Sequence, residues 1–376
     1  MLDTLMTAHD QWKNRPADQR FTSLTDLYAA TRQIRDTSRA SITSSRRLNV
    51  VPSADGALKL EGKAHEYDLN HWSFGQLAGL AGAPAGYLRS LPAPMAADCL
   101  NYGLQIERDG QEVGLLTTDP QAPRLVEGQS LDLRAATGPK YGRIWNSDIV
   151  GQLMRRFGDG VTGHFRVPGE FGKQVPITAE NTTIYGSDRD VFVFLADEER
   201  RVEIDNRRDG QKGSLARGFF VWNSEVGSQS IGAAFFLFDY VCKNRIVWGV
   251  KEFKEIRMRH SSGAPDRWLH EITPVIAAYD NASASPIEAT LAAAQAMRIA
   301  DNSKQDAIAA FLAKRNFTKG EAAGIMAAHE REEGRPIETV WDAVTGATAY
   351  AKTIPAQDDR VTMERKGGAM LDLVDL

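Results

Sequence analysis

The side chains with the most chemistry to offer in this 376-residue chain are cations interleaved with aromatics. Arg143 and Trp145 share one short segment, Arg217 and Trp222 a second, and Lys243, Asn244, Arg245, Trp248 and Lys251 a third. Arg207, Arg208 and Lys212 precede the second. Guanidinium and ammonium groups track phosphates, and flat aromatic faces stack bases at roughly 1–3 kcal/mol each. The chemistry implied is recognition of a single-stranded nucleic acid, with Asn244 at a turn as a contact to its backbone. Residues 243–260 hold six Lys/Arg against Glu252 and Glu255, on a chain of formal net charge -4. That balance argues against a wholly basic coat protein and leaves room for a basic groove.

Acid chemistry is the weaker reading. Asp188 and Asp190 precede the apolar run 191–195, and Glu225 lies in a Gly/Ser loop. Carboxylates at strand ends can hold magnesium, so these three are weak metal candidates. Solvated strand ends, with Asp188 paired to Arg189, explain them more simply. No GxSxG or HExxH occurs, and the Gly-rich 169–174 lacks the Gly and Ser/Thr of a phosphate loop. Cys99 and Cys242 are too few for a metal framework. Catalytic residues, a metal and a cofactor are therefore not expected, and the chain reads as a binding protein. The alternatives are a metal-dependent enzyme acting on nucleic acid and a host-interaction factor that binds protein through its C-terminal third.

The elements that must position these groups follow from pattern. Residues 48–51 and 58–60 flank Ala54-Asp55-Gly56 as a hairpin, residues 70–91 read as a helical layer, and 112–117, 131–137, 141–145 and 191–195 read as strands. Asn146 is a plausible N-cap for a helix over 147–157. Residues 199–217 read as a long, basic, mobile loop, and Phe219, Phe235, Phe236 and Phe238 as core. Beyond Pro265 helices are predicted over 266–279, 286–300, 303–314, 318–332 and 336–352, with a capping box at Thr318 to Glu321.

These readings give an α+β fold: a mainly antiparallel β-sheet core with flanking helices, then an all-helical C-terminal region. The expected division is a polar arm over 1–46, a core over 47–263, a helical region over 264–355 and a tail over 356–376, with Met370 to Leu376 as a docked edge or partner-binding tip. Residues 1–10 lack a signal-peptide pattern and no run approaches eighteen apolar residues, so a cytoplasmic protein with no membrane partner is expected.

Several ordered blocks carry a resemblance. The segments 218–249 (GFFVWNSEVGSQSIGAAFFLFDYVCKNRIVWG), 133–137 (LRAAT), 141–146 (YGRIWN), 187–194 (SDRDVFVF), 76–88 and 340–345 (VWDAVT) resemble the phage/plasmid-like family of unknown function. The likeness covers roughly residues 20 to 355. It implies a place on bacterial plasmids, prophages and integrative elements, and hence in their DNA metabolism. In outline the chain is also similar to phage single-strand annealing proteins, which implies a homo-oligomer.

Overall fold

The computed structural model describes residues 16–106, 111–122, 131–167, 176–180, 182–204, 213–239, 244–246, 255–283, 285–299, 305–354 and 357–374. The first half runs β1 (Arg20–Phe21), α1 (Leu24–Asp36), β2 (Ser38–Ser44), β3 (Val50–Pro52), β4 (Leu58–Glu61), β5 (Glu66–Leu69), α2 (His71–Leu80), α3 (Ala85–Leu88), α4 (Ala93–Ile106), β6 (Glu112–Thr118), β7 (Asp132–Thr137) and α5 (Asn146–Phe157). Then come β8 (Phe165–Arg166), β9 (Ile184–Gly186), β10 (Asp190–Ile204), β11 (Gly213–Ser224), β12 (Ile231–Asp239), β13 (Asn244–Ile246) and β14 (Ile256–Met258). The helices α6 (Ala264–Asn281), α7 (Ser285–Ala296), α8 (Gln305–Ala313), α9 (Lys319–Glu333), α10 (Val340–Ala351) and α11 (Gln357–Gly368) follow, and a 3-10 turn over Ala369–Leu373 closes the chain. The class is α+β.

The described strands form two sheets. One has the order β1-β9-β10-β11-β12-β13, with β8 on β10 and β14 on β12; the other has the order β2-β6-β7-β5-β4-β3. Pairing is antiparallel except between β5 and β7. The first sheet is built on β10 to β12, whose side chains over 191–197, 215–224 and 231–235 alternate with period two and are buried on both faces. Val191, Val193, Leu195, Phe219, Val221 and Phe235 enter one core with α1, α5 and α6, whereas Phe192, Phe194, Phe220 and Trp222 cluster on the opposite face. Each such side chain contributes about 1.5–3 kcal/mol by leaving water. Trp222 lies across its register partner Gly232, where a Cβ would stand 2.1 Å from the indole.

Three expectations change. The supposed polar arm supplies β1, α1 and β2, because Leu24, Leu27 and Thr31 put a buried stripe on α1. Residues 141–145 are irregular rather than a strand, since their hydrogen bonds run to loops and Gly142 approaches Ser261 too closely for a Cβ. The described residues of the basic stretch 199–217 are strand rather than loop: β10 extends to Ile204 and β11 begins at Gly213, with Val202 and Leu215 packed against the C-terminal helices. Met370 and Leu371, read as part of a docked edge or a partner-binding tip, are docked: with Met363 they pack α11 and the turn after it into the C-terminal core. The hairpin at Gly56 (φ 83) and the Thr318 to Glu321 capping box are present as read.

The C-terminal helices enclose a titratable pair with a measurable consequence. His329 on α9 is buried, its Nδ1 3.3 Å from the Thr345 hydroxyl and its Nε2 3.9 Å from Asp342, which Arg335 binds through two N–H groups. Burial pushes the His329 pKa down to about 4; Asp342 opposes and Arg335 reinforces the shift. An unfolded histidine titrates near 6.5, so below that pH the unfolded chain takes the proton first. The stability present above pH 6.5 is therefore lost as pH falls toward 4, roughly 2 kcal/mol by pH 5. Urea midpoints between pH 7 and pH 5 are expected to fall, and His329→Gln to flatten that stretch of the profile; an unchanged slope in the variant would assign the loss elsewhere.

Candidate functional site

The aromatic and cationic side chains that come together lie where the two sheets meet, on the segment that leads from β7 into α5. Tyr141 donates its hydroxyl to the Ser224 carbonyl at 2.8 Å, and Arg143 donates to the Glu225 carbonyl. The Arg143 guanidinium stands 5.4 Å from the Tyr141 ring and 5.9 Å from the Trp145 ring. Arg35, on α1 and held by Asp148, covers the Trp145 ring at 5.4 Å. On the far side His260 stacks on Tyr141 at 4.9 Å, its Nδ1 3.0 Å from the Gly142 carbonyl. The result is an alternating, half-buried ladder: Arg35, Trp145, Arg143, Tyr141, His260.

Burial sets the charge states. It pushes the Tyr141 phenol well above its ordinary value, so the ring stays neutral and remains a donor. It lowers Arg143, with Tyr141 and Glu225 raising it and Arg134 lowering it further, yet an arginine starts so high that it stays a cation. His260 is lowered by burial and by Arg143, while the Gly142 carbonyl opposes, which leaves it uncharged at neutral pH. The side chain of Arg259, exposed and next to His260 in sequence, has no hydrogen-bond or ion-pair partner among the described residues. Two cations flanking an indole can grip an anion that carries flat rings.

Glu225 anchors the ladder. Its side chain is fully buried, and Oε2 accepts from Arg134 of β7 at 2.9 Å while Oε1 accepts from the Asn146 backbone N–H at 2.7 Å. Asn146 is thus the first residue of α5 and not its N-cap; a carboxylate from 79 residues away takes the orphan N–H at that helix start. Beside it Val226 accepts from Trp72 Nε1 at 3.0 Å and Gln76 Nε2 at 2.8 Å. The loop after β11 is therefore the clasp between the two sheets.

Other candidates are placed differently. Arg217 is buried, 1% exposed, and cannot reach a phosphate: it pairs with Asp197 at 3.6 Å and donates to the Ala282 carbonyl at 2.6 Å at the end of α6. Trp222 is buried on the opposite face of the same strand, with Arg257 5.5 Å from its ring, so it is no open stacking platform. Asn244 and Arg245 pair with Asp239 and Phe238 as β13. Arg207, Arg208, Lys212, Lys243, Trp248 and Lys251 lie outside the described residues. The metal candidates do not converge: Asp188 is exposed, Asp190 accepts from Ser187 at 3.0 Å, and Glu225 is held by Arg134. Among the described residues no group of three or more His, Cys, Asp or Glu is arranged to hold a metal. None of their helices is long and apolar enough to cross a membrane.

Arg35, Tyr141 and His260 were not read from sequence as partners of Arg143 and Trp145. The pairing of Tyr141, Arg143 and Trp145 at every second position was the available signal for three of the ladder's members; Arg35 and His260 come from 108 and 117 residues away and left none. Residues 171–365 match the model of a family described as a domain of unknown function (DUF932). No curated protein and no solved structure matches the chain. The matched span runs from before β9 into α11 and so contains Glu225 and His260, whereas Arg35, Arg143 and Trp145 precede it.

Proposed function

The chain belongs to the DUF932 family, a domain of unknown function, and from that premise we propose that it is a non-enzymatic protein that binds, and anneals, single-stranded DNA as a homo-oligomer in the cytoplasm. The observation that carries the reading is the ladder of Arg35, Trp145, Arg143 and Tyr141, where cation and aromatic alternate at contact distance. Arg259, exposed and adjacent in sequence to His260, is proposed as a further contact. Cations meet phosphates at such a ladder and rings meet bases, without reading sequence. Arg207, Arg208, Lys212, Lys243, Asn244, Arg245, Trp248 and Lys251 are proposed as further contacts. The resemblance to proteins of plasmids and prophages supports DNA as the strand, since those elements replicate and recombine through single-stranded intermediates.

Fluorescence titration of labelled single strands at two salt concentrations tests the proposal. Affinity is expected to fall steeply with salt, because bound phosphates release counterions. Arg259→Gln, a change at an exposed side chain, is expected to leave unfolding unchanged and lower the salt slope by about 1. Trp145→Ala is expected to weaken binding by about 1–3 kcal/mol. Binding that is absent or indifferent to salt would overturn the reading.

A further inference from the structure

The strand β2 ends its sheet with an open edge. It is paired to β6 without interruption from Ser38↔Thr118 to Ser44↔Glu112, and among the described residues no strand lies on its other side. The flanking bonds fix which way its backbone faces. Asp119 N–H donates to the Thr37 carbonyl and Ser45 N–H to the Gln111 carbonyl, both at 2.8 Å. In an antiparallel pair, hydrogen-bonded and non-bonded residues alternate, so the odd-numbered residues of β2 bond β6. The N–H and C=O groups of Ser38, Ala40, Ile42 and Ser44 therefore point outward.

Natural sheets protect such an edge with short strands, several charges, proline, bulges or a covering element. β2 is seven residues long, has a continuous register and no proline, and carries one charge, Arg39. Residues 39–42 are all exposed, with Ile42 at 65%. The sequence Ser-Arg-Ala-Ser-Ile-Thr-Ser is also self-complementary when turned about Ser41. Ala40 then faces Ile42 of the other copy and Ser38 faces Ser44, each such pair exchanging two N–H···O bonds. Arg39 faces Thr43, so no like charges oppose.

We propose that a second copy of this chain pairs with β2 antiparallel about a two-fold axis at Ser41, joining two six-stranded sheets edge to edge. This deepens the assembly part of the function proposed above and uses no residue of the ladder. Loss of nucleic-acid binding and loss of the dimer are consequently separable results.

The geometry gives a selective test. At the axis Ser41 faces its own copy as a non-bonded pair, with Cα atoms about 4.5 Å apart, within the roughly 4.4–6.8 Å that a disulfide spans. Two copies of Arg39 stand four strand positions apart, about 13 Å, and cannot be bridged. Cys99 is exposed and is replaced first. In the 376-residue chain carrying Cys99→Ser and Cys242→Ser, Ser41→Cys is expected to give at least tenfold more disulfide-linked dimer than Arg39→Cys under mild oxidation. Ile42→Pro deletes an outward N–H and no bond to β6, so it is expected to shift sedimentation toward monomer with an unchanged melting temperature. Equal cross-linking by both cysteines, or a monomer at every concentration, would overturn the proposal. So would Ala40 and Ile42 amides protected from exchange in dilute monomer, because another part of the same chain would then hold the edge.

Discussion

Glu225→Ala is expected to cost about 3–5 kcal/mol of stability, the range for one partner lost from a buried ion pair. Arg134 is 5% exposed and would remain inside, held by the Ser38 hydroxyl at 2.6 Å and the Asp188 carbonyl but with no countercharge. The start of α5 would lose both the acceptor for the Asn146 N–H and the negative charge that favours a helix N-terminus. Glu225→Gln keeps an oxygen for that N–H and removes the charge, so its cost is expected to fall between wild type and Ala. Arg134→Met with Glu225→Leu removes both charges together and is expected to cost less than either truncation alone. Urea denaturation of the four chains checks the order. A Glu225→Ala cost below about 1 kcal/mol would mean that the clasp between the sheets is solvated rather than buried.

What the sequence made legible was local. The Gly56 hairpin, the Thr318 capping box and the C-terminal helices follow from spacings of a few residues, where one turn of chain decides the conformation. What it hid depends on partners far along the chain. Glu225 reads as a loop carboxylate until β7 brings Arg134, 91 residues away, against it. The stretch 199–217 was expected as a loop because its cations imply water, yet Val202 and Leu215 bind both strands of that hairpin to the C-terminal core. Arg217 was the most recoverable error. In β11 it shares parity with Phe219 and Val221, and Trp222 shares parity with Phe220, so strand alternation alone places the two on opposite faces. One groove could never hold both.

The same parity gives the second large effect. Arg217 and Asp197, 1% and 0% exposed, meet where the β10 register shifts between Ala196 and Arg201, at the seam between the sheet core and the C-terminal core. Asp197 takes the N–H groups of Glu199 and Arg200 at 3.1 and 3.0 Å, which shapes the bulge, and Arg217 takes the Tyr279 and Ala282 carbonyls that end α6. Arg217→Ala takes from the buried Asp197 one of its two cations, leaving Arg200, orphans those carbonyls and leaves a cavity, so a loss of about 3–5 kcal/mol is expected. Arg217→Lys is expected to recover only part of it, because a single ammonium cannot serve an acid and two carbonyls as the planar fork does. Arg200→Ala breaks pairs with Asp197 and Asp280 at a half-exposed side chain, and about 1 kcal/mol or less is expected. Thermal melts rank the three. Titration at a temperature where Arg217→Ala is still folded separates the two roles: a structural Arg217 leaves the salt slope of strand binding unchanged, whereas a phosphate contact would lower it by about 1 with little change in melting.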